Sequence, residues 1–184
     1  MKIDSPLIDS NITLRALTKN DITTTYLSWL SDIEITGYLE IRFSPPKSLK
    51  DLENYINTLN ESNNFLILGI FLNPELVHIG NIKLGPIDRN HSSSDIGILI
   101  GDRVQWGKGY STSAIKMLSD YAFTKLGLIK LTASCYSSNQ GSRHAFLNAG
   151  FVEEGRRIGQ YALLGKREDA LLLGKINPNN EIVD

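Results

Sequence analysis

Two glycines bracket a lysine in Trp106-Gly107-Lys108-Gly109-Tyr110-Ser111-Thr112, immediately ahead of SAIKMLSDYAFTKLG, a run with helical periodicity. The chemistry open to such a segment is anion binding. Glycine has no Cβ and lets the backbone come close to a charged group. The first amides of a helix have no intrahelical partner and lie at the positive end of its dipole, and Lys108, Ser111 and Thr112 add side-chain donors. The spacing is neither that of a Walker A loop nor that of the dinucleotide fingerprint G-x-G-x-x-G. By itself the segment fits a phosphate cradle or a plain strand-to-helix turn.

Other residues with chemical potential are fewer. Asn139 and Ser142 open a second helical run, where both types serve as caps. Cys135 alternates with Leu131 and Ala133, a pattern that buries it as a small apolar residue and argues against an activated thiol for ping-pong transfer. Tyr136 closes the same run. His78, His91 and His144 lack metal-ligand spacing and neighbouring acids that would make a catalytic couple, so no metal is expected and none of the three is assigned a role.

The elements that must position these residues follow from apolar periodicity. Strands are expected at 12–17, 65–72, 76–84, 94–100, 129–136, 151–161 and 169–176, and helices at 20–31, 48–61, 109–126 and 140–148. Pro45 and Pro46 break the chain between the first two helices. Ser48 and Asp51 have capping-box spacing, and Gly127 suits a helix C-cap. The order β-α-α-β-β-β-α-β-α-β-β predicts a mixed α/β layer structure in which a helix connects a central strand to its neighbour. Residues 1–184 read as one domain, with a frayed tail at about 177–184.

Composition narrows the function classes. The 184 residues are 41% hydrophobic and 21% charged, with a net charge of -1, which gives no general pull toward nucleic acid or an anionic membrane. The single cysteine cannot form an intramolecular disulfide. The start MKIDSPLIDS lacks the apolar core of a signal peptide, and no apolar run approaches membrane-spanning length, so a cytoplasmic location is expected. Glycosylation-like triplets at Asn11, Asn60 and Asn90 then read as chance.

Downstream of the glycine segment lies NQGSRHAFLNAGFVEEG. With it the chain resembles the GNAT superfamily of acetyl-CoA-dependent N-acyltransferases. The loop signature [RQ]-x-x-G-x-[GA] falls on Trp106, Gly109 and Ser111. The second signature, N-x-x-S-x-x-x-[FLY]-x-x-x-G-F, falls on Asn139, Ser142, Phe146, Gly150 and Phe151. The Trp106 variant together with VEEG is similar to the branch that includes ribosomal-protein alanine N-acetyltransferases. The resemblance spans about residues 12–176.

It implies an α/β, single-domain GNAT-like fold, with a mixed, twisted central sheet and helices on both faces, and acetyl-CoA as co-substrate. The pyrophosphate would lie on the amides of residues 107–112, so that Trp106, Gly107, Lys108, Gly109, Tyr110, Ser111 and Thr112 form the cofactor loop. The pantetheine arm would enter a splay between the strands at 95–100 and 129–136. Ser142 becomes the candidate proton donor to the departing thiolate, with Asn139 positioning pantetheine or a water. Asp95 is the acidic residue near the acceptor pocket, and its other reading is a solvated carboxylate at a strand end. Tyr161 stands where the branch has Glu, and Ser113 replaces another Glu of the branch. Tyr136 can face the thioester or simply pack. With a reference pKa of about 10, tyrosine is a poor base at neutral pH.

The implied partner is an amine-bearing acceptor, with a protein α-amine leading by analogy and a small-molecule amine (amino sugar, amino acid or antibiotic) as the alternative. A non-catalytic acetyl-CoA-binding module is the rival class. Glu34, Glu40 and Asp95 can attract an ammonium, and Arg42, Arg156 and Arg157 a carboxylate or phosphate, but charges scattered in this way mostly solvate a surface, which is the preferred reading for any one of them. The expected assembly is a monomer or homodimer.

Overall fold

The run Leu66–Leu72 is buried at six of its seven positions, which only a strand covered on both faces can accommodate. It is β3 in an eight-stranded sheet of a computed structural model that describes residue 1 and residues 3–179. The other strands are β1 (Leu7–Ile8), β2 (Ile12–Ala16), β4 (Val77–Asp88), β5 (Ser93–Ile100), β6 (Lys130–Tyr136), β7 (Val152–Leu163) and β8 (Lys166–Ile176). The helices are α1 (Thr24–Ser31), α2 (Ile33–Thr36), α3 (Leu49–Glu61), α4 (Tyr110–Thr124) and α5 (Gln140–Asn148). The strand order is β1-β2-β3-β4-β5-β6-β8-β7, antiparallel except between β5 and β6.

Two cores hold the layers together. Ala114, Ile115, Leu118 and Phe146 of α4 and α5 pack on Ile82, Ile96, Leu131 and Leu173. On the other face, Tyr26, Trp29, Leu52 and Ile56 of α1 and α3 cover Leu17, Ile67, Phe71 and Leu99. The mixed sheet with helices on both faces is therefore as the family resemblance implies. Beneath α1, His78 lies among Phe71, Tyr26 and Trp29, with ring centroids 4.9, 5.0 and 5.2 Å away.

The differences from the sequence reading have local causes. The predicted helix at 20–31 begins only at Thr24, because the Asp21 carboxylate accepts the Thr18 amide, the Thr18 hydroxyl and both outer nitrogens of Arg15. Asp32 then ends α1 and caps α2, which the sequence reading missed, by accepting the Glu34 amide at 2.8 Å. The strand β1, only two residues long, also escaped notice. The last two strands are longer than expected. They form one hairpin through Leu164 and Gly165, both with positive φ, and its polar stretch Lys166-Arg167-Glu168 reads as a loop. At the start of the tail expected to fray, the Asn177 amide donates to the Ile129 carbonyl at 2.8 Å. Residues 180–184 lie outside the described residues.

The central feature is where the sheet opens. The parallel strands β5 and β6 pair only at Ser93/Lys130, Ser94/Leu131 and Asp95/Thr132. Beyond that point β5 continues to Ile100 and β6 to Tyr136 without pairing, which leaves a wedge between them.

Candidate active site

The glycine loop leaves β5 at the rim of this wedge. Asp102 accepts the Val104 amide and the Gln105 side-chain nitrogen, each at 3.1 Å. The Trp106 indole donates to the Ile100 carbonyl at 2.8 Å, which folds the loop back onto the strand it has just left. Gly107 and Gly109 then adopt φ of 74° and 85°, a left-handed conformation that residues with a Cβ rarely take. A Cβ built at either would meet nothing within 4 Å, so the space above the loop is open.

Gly109 is the N-cap of α4 and supplies no side-chain cap. The first helical bond is the one from Ser113 to the Gly109 carbonyl, at 3.1 Å. The amides of Tyr110, Ser111 and Thr112 thus face outward at the positive end of a 15-residue helix. Lys108 lies alongside, its ammonium on Gln105 at 3.0 Å. The Thr112 hydroxyl instead donates across to the Ala145 carbonyl of α5 at 3.4 Å, tying the two helices together. The loop presents donors and positive charge without a side chain in the way, which is what a pyrophosphate needs.

At the far end of the wedge, α5 starts at the Asn139 cap. The Asn139 side-chain oxygen accepts the Ser142 amide at 3.1 Å. The capping reading therefore holds for the oxygen, and the Asn139 NH2 is the part left to donate elsewhere. Ser142 is half-buried in the first turn of α5. Phe146, one turn further, is buried in the core and has no proton to give.

Between these ends, β6 presents Thr132, Ser134 and Tyr136 on the face opposite the α4–α5 core, since Leu131, Ala133 and Cys135 belong to that core. Thr132 donates to the Asp95 carboxylate at the apex of the wedge. The Tyr136 ring stacks nearly parallel on Tyr161, centroids 4.1 Å apart at 18°, and meets Tyr38 at 5.3 Å. The structure thus brings Tyr136 and Tyr161 together, and adds Tyr38 and Ser134, which the sequence reading did not single out. Ser134 was legible in principle, two residues before Tyr136 on the same strand face; Tyr38 carries no sequence signal. Burial pushes the Tyr136 hydroxyl above its ordinary 10.0, with Arg42 pulling the other way, so this residue is no base at neutral pH.

Several of the charges near the acceptor side are committed to protein partners. Glu34 pairs with Arg103, which also holds Asp32 at 2.6 Å. Arg156 bonds Asp169 at 2.5 Å. Arg42 donates to the Gly37 and Ala162 carbonyls, bridging the segment after α2 to the β7–β8 hairpin. A cleft of about 410 Å³ lies where β6 turns into α5, with Arg143 and Glu153 paired on its wall.

The remaining titratable groups fall into place. Burial, reinforced by Glu153, pushes the Cys135 thiol up to about 11, which removes the thiolate a ping-pong route needs. His91 is bonded to Asp88 at 3.0 Å, a pairing with an acid that the sequence reading missed, in an exposed turn between β4 and β5. Among the described residues no group of His, Cys, Asp and Glu could hold a metal ion, and no helix is long and apolar enough to cross a membrane.

A central wedge in a mixed sheet, with a glycine-opened helix N-terminus at its rim, defines the class. The sequence profile of the acetyltransferase (GNAT) domain family matches residues 11–152, and the chain belongs to that family. It is an acetyl-CoA-dependent N-acetyltransferase. The chain is 29% identical over 150 residues to the uncharacterized N-acetyltransferase p20 of Bacillus licheniformis, covering 81% of this chain and 83% of that one. It is 27% identical over 162 residues to spermidine N(1)-acetyltransferase of Vibrio cholerae, covering 88% and 91%. The structure of the spermidine N-acetyltransferase from Vibrio cholerae in complex with CoA and spermine superposes with a TM-score of 0.80 at 27% identity, over 91% of this chain and 96% of that one.

Proposed function

We propose that this enzyme acetylates a primary amine of a small cationic acceptor of the polyamine class. The observation that carries the reading is the acceptor side of the wedge, walled by Tyr38, Tyr136 and Tyr161 and flanked by carboxylates. Asp95 lies at the apex, Glu168 is cross-strand from Tyr161, and Glu40 acts electrostatically on Tyr136. Aromatic faces and carboxylates attract ammonium groups. The Arg42 guanidinium opposes them, but two of its donors are spent on backbone carbonyls. Relatives that act on spermidine support this acceptor over the protein α-amine expected from the sequence.

In this reading the amides of residues 107–112 hold the pyrophosphate of acetyl-CoA, and Asn139 donates its NH2 to the pantetheine arm. Acetyl-CoA supplies the activated acetyl group. The chain's own residues hold the amine at the wedge, take its proton and return one to the departing sulfur, the last from Ser142 or a water it orients. The test is an acceptor panel analysed by mass spectrometry. Singly acetylated spermidine is expected, with little product from peptides bearing a free α-amine; the reverse pattern overturns the reading.

Ser142→Ala is expected to lower kcat about 100-fold while the Kd for acetyl-CoA, measured by calorimetry, stays unchanged. An unaltered kcat would reduce Ser142 to a helix residue.

A further inference from the structure

Hydroxyl groups at alternate positions of β6 form a row beside the wedge, and two of them, those of Thr132 and Ser134, are bonded to residues of other strands. At the apex, Thr132 donates to Asp95 of β5. Two residues on, the Ser134 hydroxyl is 2.7 Å from the Tyr161 hydroxyl of β7. Ser134 lies just past the last β5–β6 pair, so it stands beside the open part of the wedge. Its exposed position would otherwise leave its hydroxyl to water. Here the hydroxyl is spent on a tyrosine whose ring lies flat on Tyr136.

We propose that Tyr161, Ser134 and Thr132 form a path that carries the acceptor ammonium's proton to Asp95, with Ser134 as its central positioning residue. This rests on the acetyl-transfer reading and adds the route by which the amine becomes a nucleophile. The acceptor nitrogen gives its proton to the Tyr161 oxygen as the Tyr161 proton passes to Ser134. The Ser134 proton passes through two waters in line to Thr132, about 7 Å along the strand and too far for one, each water giving on a proton as it takes one, and the Thr132 proton ends on the Asp95 carboxylate. One N–H bond breaks, one carboxyl O–H bond forms, and each hydroxyl regains the proton it gives. The neutral amine then attacks, and Asp95 releases the proton to solvent.

The charged and titratable groups facing the row come from every neighbouring element. They are Lys130 and Tyr136 on β6, Asp95 on β5, Glu154 on β7 against Lys130, Arg157 on β7 in the cross-strand row of Tyr136, Glu168 on β8, and Tyr38, Glu40 and Arg42 from the segment after α2. None of them bridges the hydroxyls of Ser134 and Tyr161.

The test is the pH dependence of kcat/KM with spermidine for the parent, Ser134→Ala, Ser134→Thr and Tyr161→Phe. Ser134→Ala is expected to lose about 30-fold near pH 7 and to recover most of it near pH 9.5, where amines with a pKa of about 10 arrive partly neutral. Ser134→Thr, which keeps the hydroxyl, is expected to restore most of the rate, and Tyr161→Phe to follow Ser134→Ala. A loss equal at every pH, or no loss at all, overturns the path and leaves acetyl transfer standing. A parent that binds acetyl-CoA but acetylates no amine overturns both. Unchanged acetyl-CoA affinity in each variant shows that the fold has survived.

Discussion

Gly109→Asp is expected to raise the Kd for acetyl-CoA by 100-fold or more, read by calorimetric titration, with only a small change in melting temperature. Three effects add. The residue sits at φ 85°, where a Cβ costs about 1–2 kcal/mol, or roughly tenfold in binding if the loop relaxes to avoid it. The new carboxylate opposes the charge of the pyrophosphate in the first turn of α4. It also competes for the same amides, because an aspartate at an N-cap accepts from the first helical turn. That self-capping favours the helix, which is why affinity and stability are expected to part company. Gly109→Ala carries only the first effect, and a loss of about tenfold is expected. Since a Cβ here would meet nothing within 4 Å, a steric clash explains neither result. An unchanged Kd in both variants would place the pyrophosphate away from this loop.

What was legible in the sequence is what depends on short-range rules. The expected helix at 109–126 is Tyr110–Thr124, the strand at 129–136 is Lys130–Tyr136, and the last helix is Gln140–Asn148 as expected. These elements carry the glycine loop, Asn139 and Ser142, so one wall of the candidate site could be placed on its elements before any fold was known. The acceptor wall could not. The contact between Ser134 and Tyr161 depends on the register of β7 against β8, which shifts twice, between Glu153 and Gly155 and between Arg157 and Tyr161. The second shift is stabilised by the Gly159 amide on Asp169 at 2.7 Å, an arrangement with no periodic signature. Tyr38 arrives from the segment after α2, a helix of four residues, too short to show a period. The charges carried the least signal: scattered along the chain they read mainly as surface solvation, and the pairings of Glu34 with Arg103 and of Arg156 with Asp169 join residues whose meeting no local pattern encodes.

His78 shows the same limit, because its ring partners come from α1 and β3, and it leads to the largest expected effect on stability. Burial depresses the His78 imidazole from 6.5 to about 4, opposed by its hydrogen bond to the Gly80 carbonyl and by the charge of Asp21. The Nε2–H donates to that carbonyl at 2.9 Å, so the folded state holds the neutral ring. The unfolded chain binds a proton that the folded chain refuses between pH 6.5 and about 4. Stability is therefore full above pH 6.5 and falls as the pH drops toward 4, by roughly 3 kcal/mol. Asp21 adds a second window below the first. Burial alone would raise its carboxyl, but the bonds from Arg15 and Thr18 outweigh it and hold the group at about 2 against an ordinary 3.8. Its contribution is present above pH 3.8 and lost as the pH falls toward 2, by roughly 2 kcal/mol. Urea unfolding at a series of pH values checks both windows. His78→Phe keeps a ring beside Phe71 and gives up one hydrogen bond, so it is expected to cost about 1 kcal/mol at neutral pH and to flatten the upper window. The lower window should persist in that variant. A parent whose stability does not change between pH 6.5 and 4, or a variant that keeps the parent's slope there, would mean that the ring is charged in the folded state and that its aromatic neighbours do not exclude the proton.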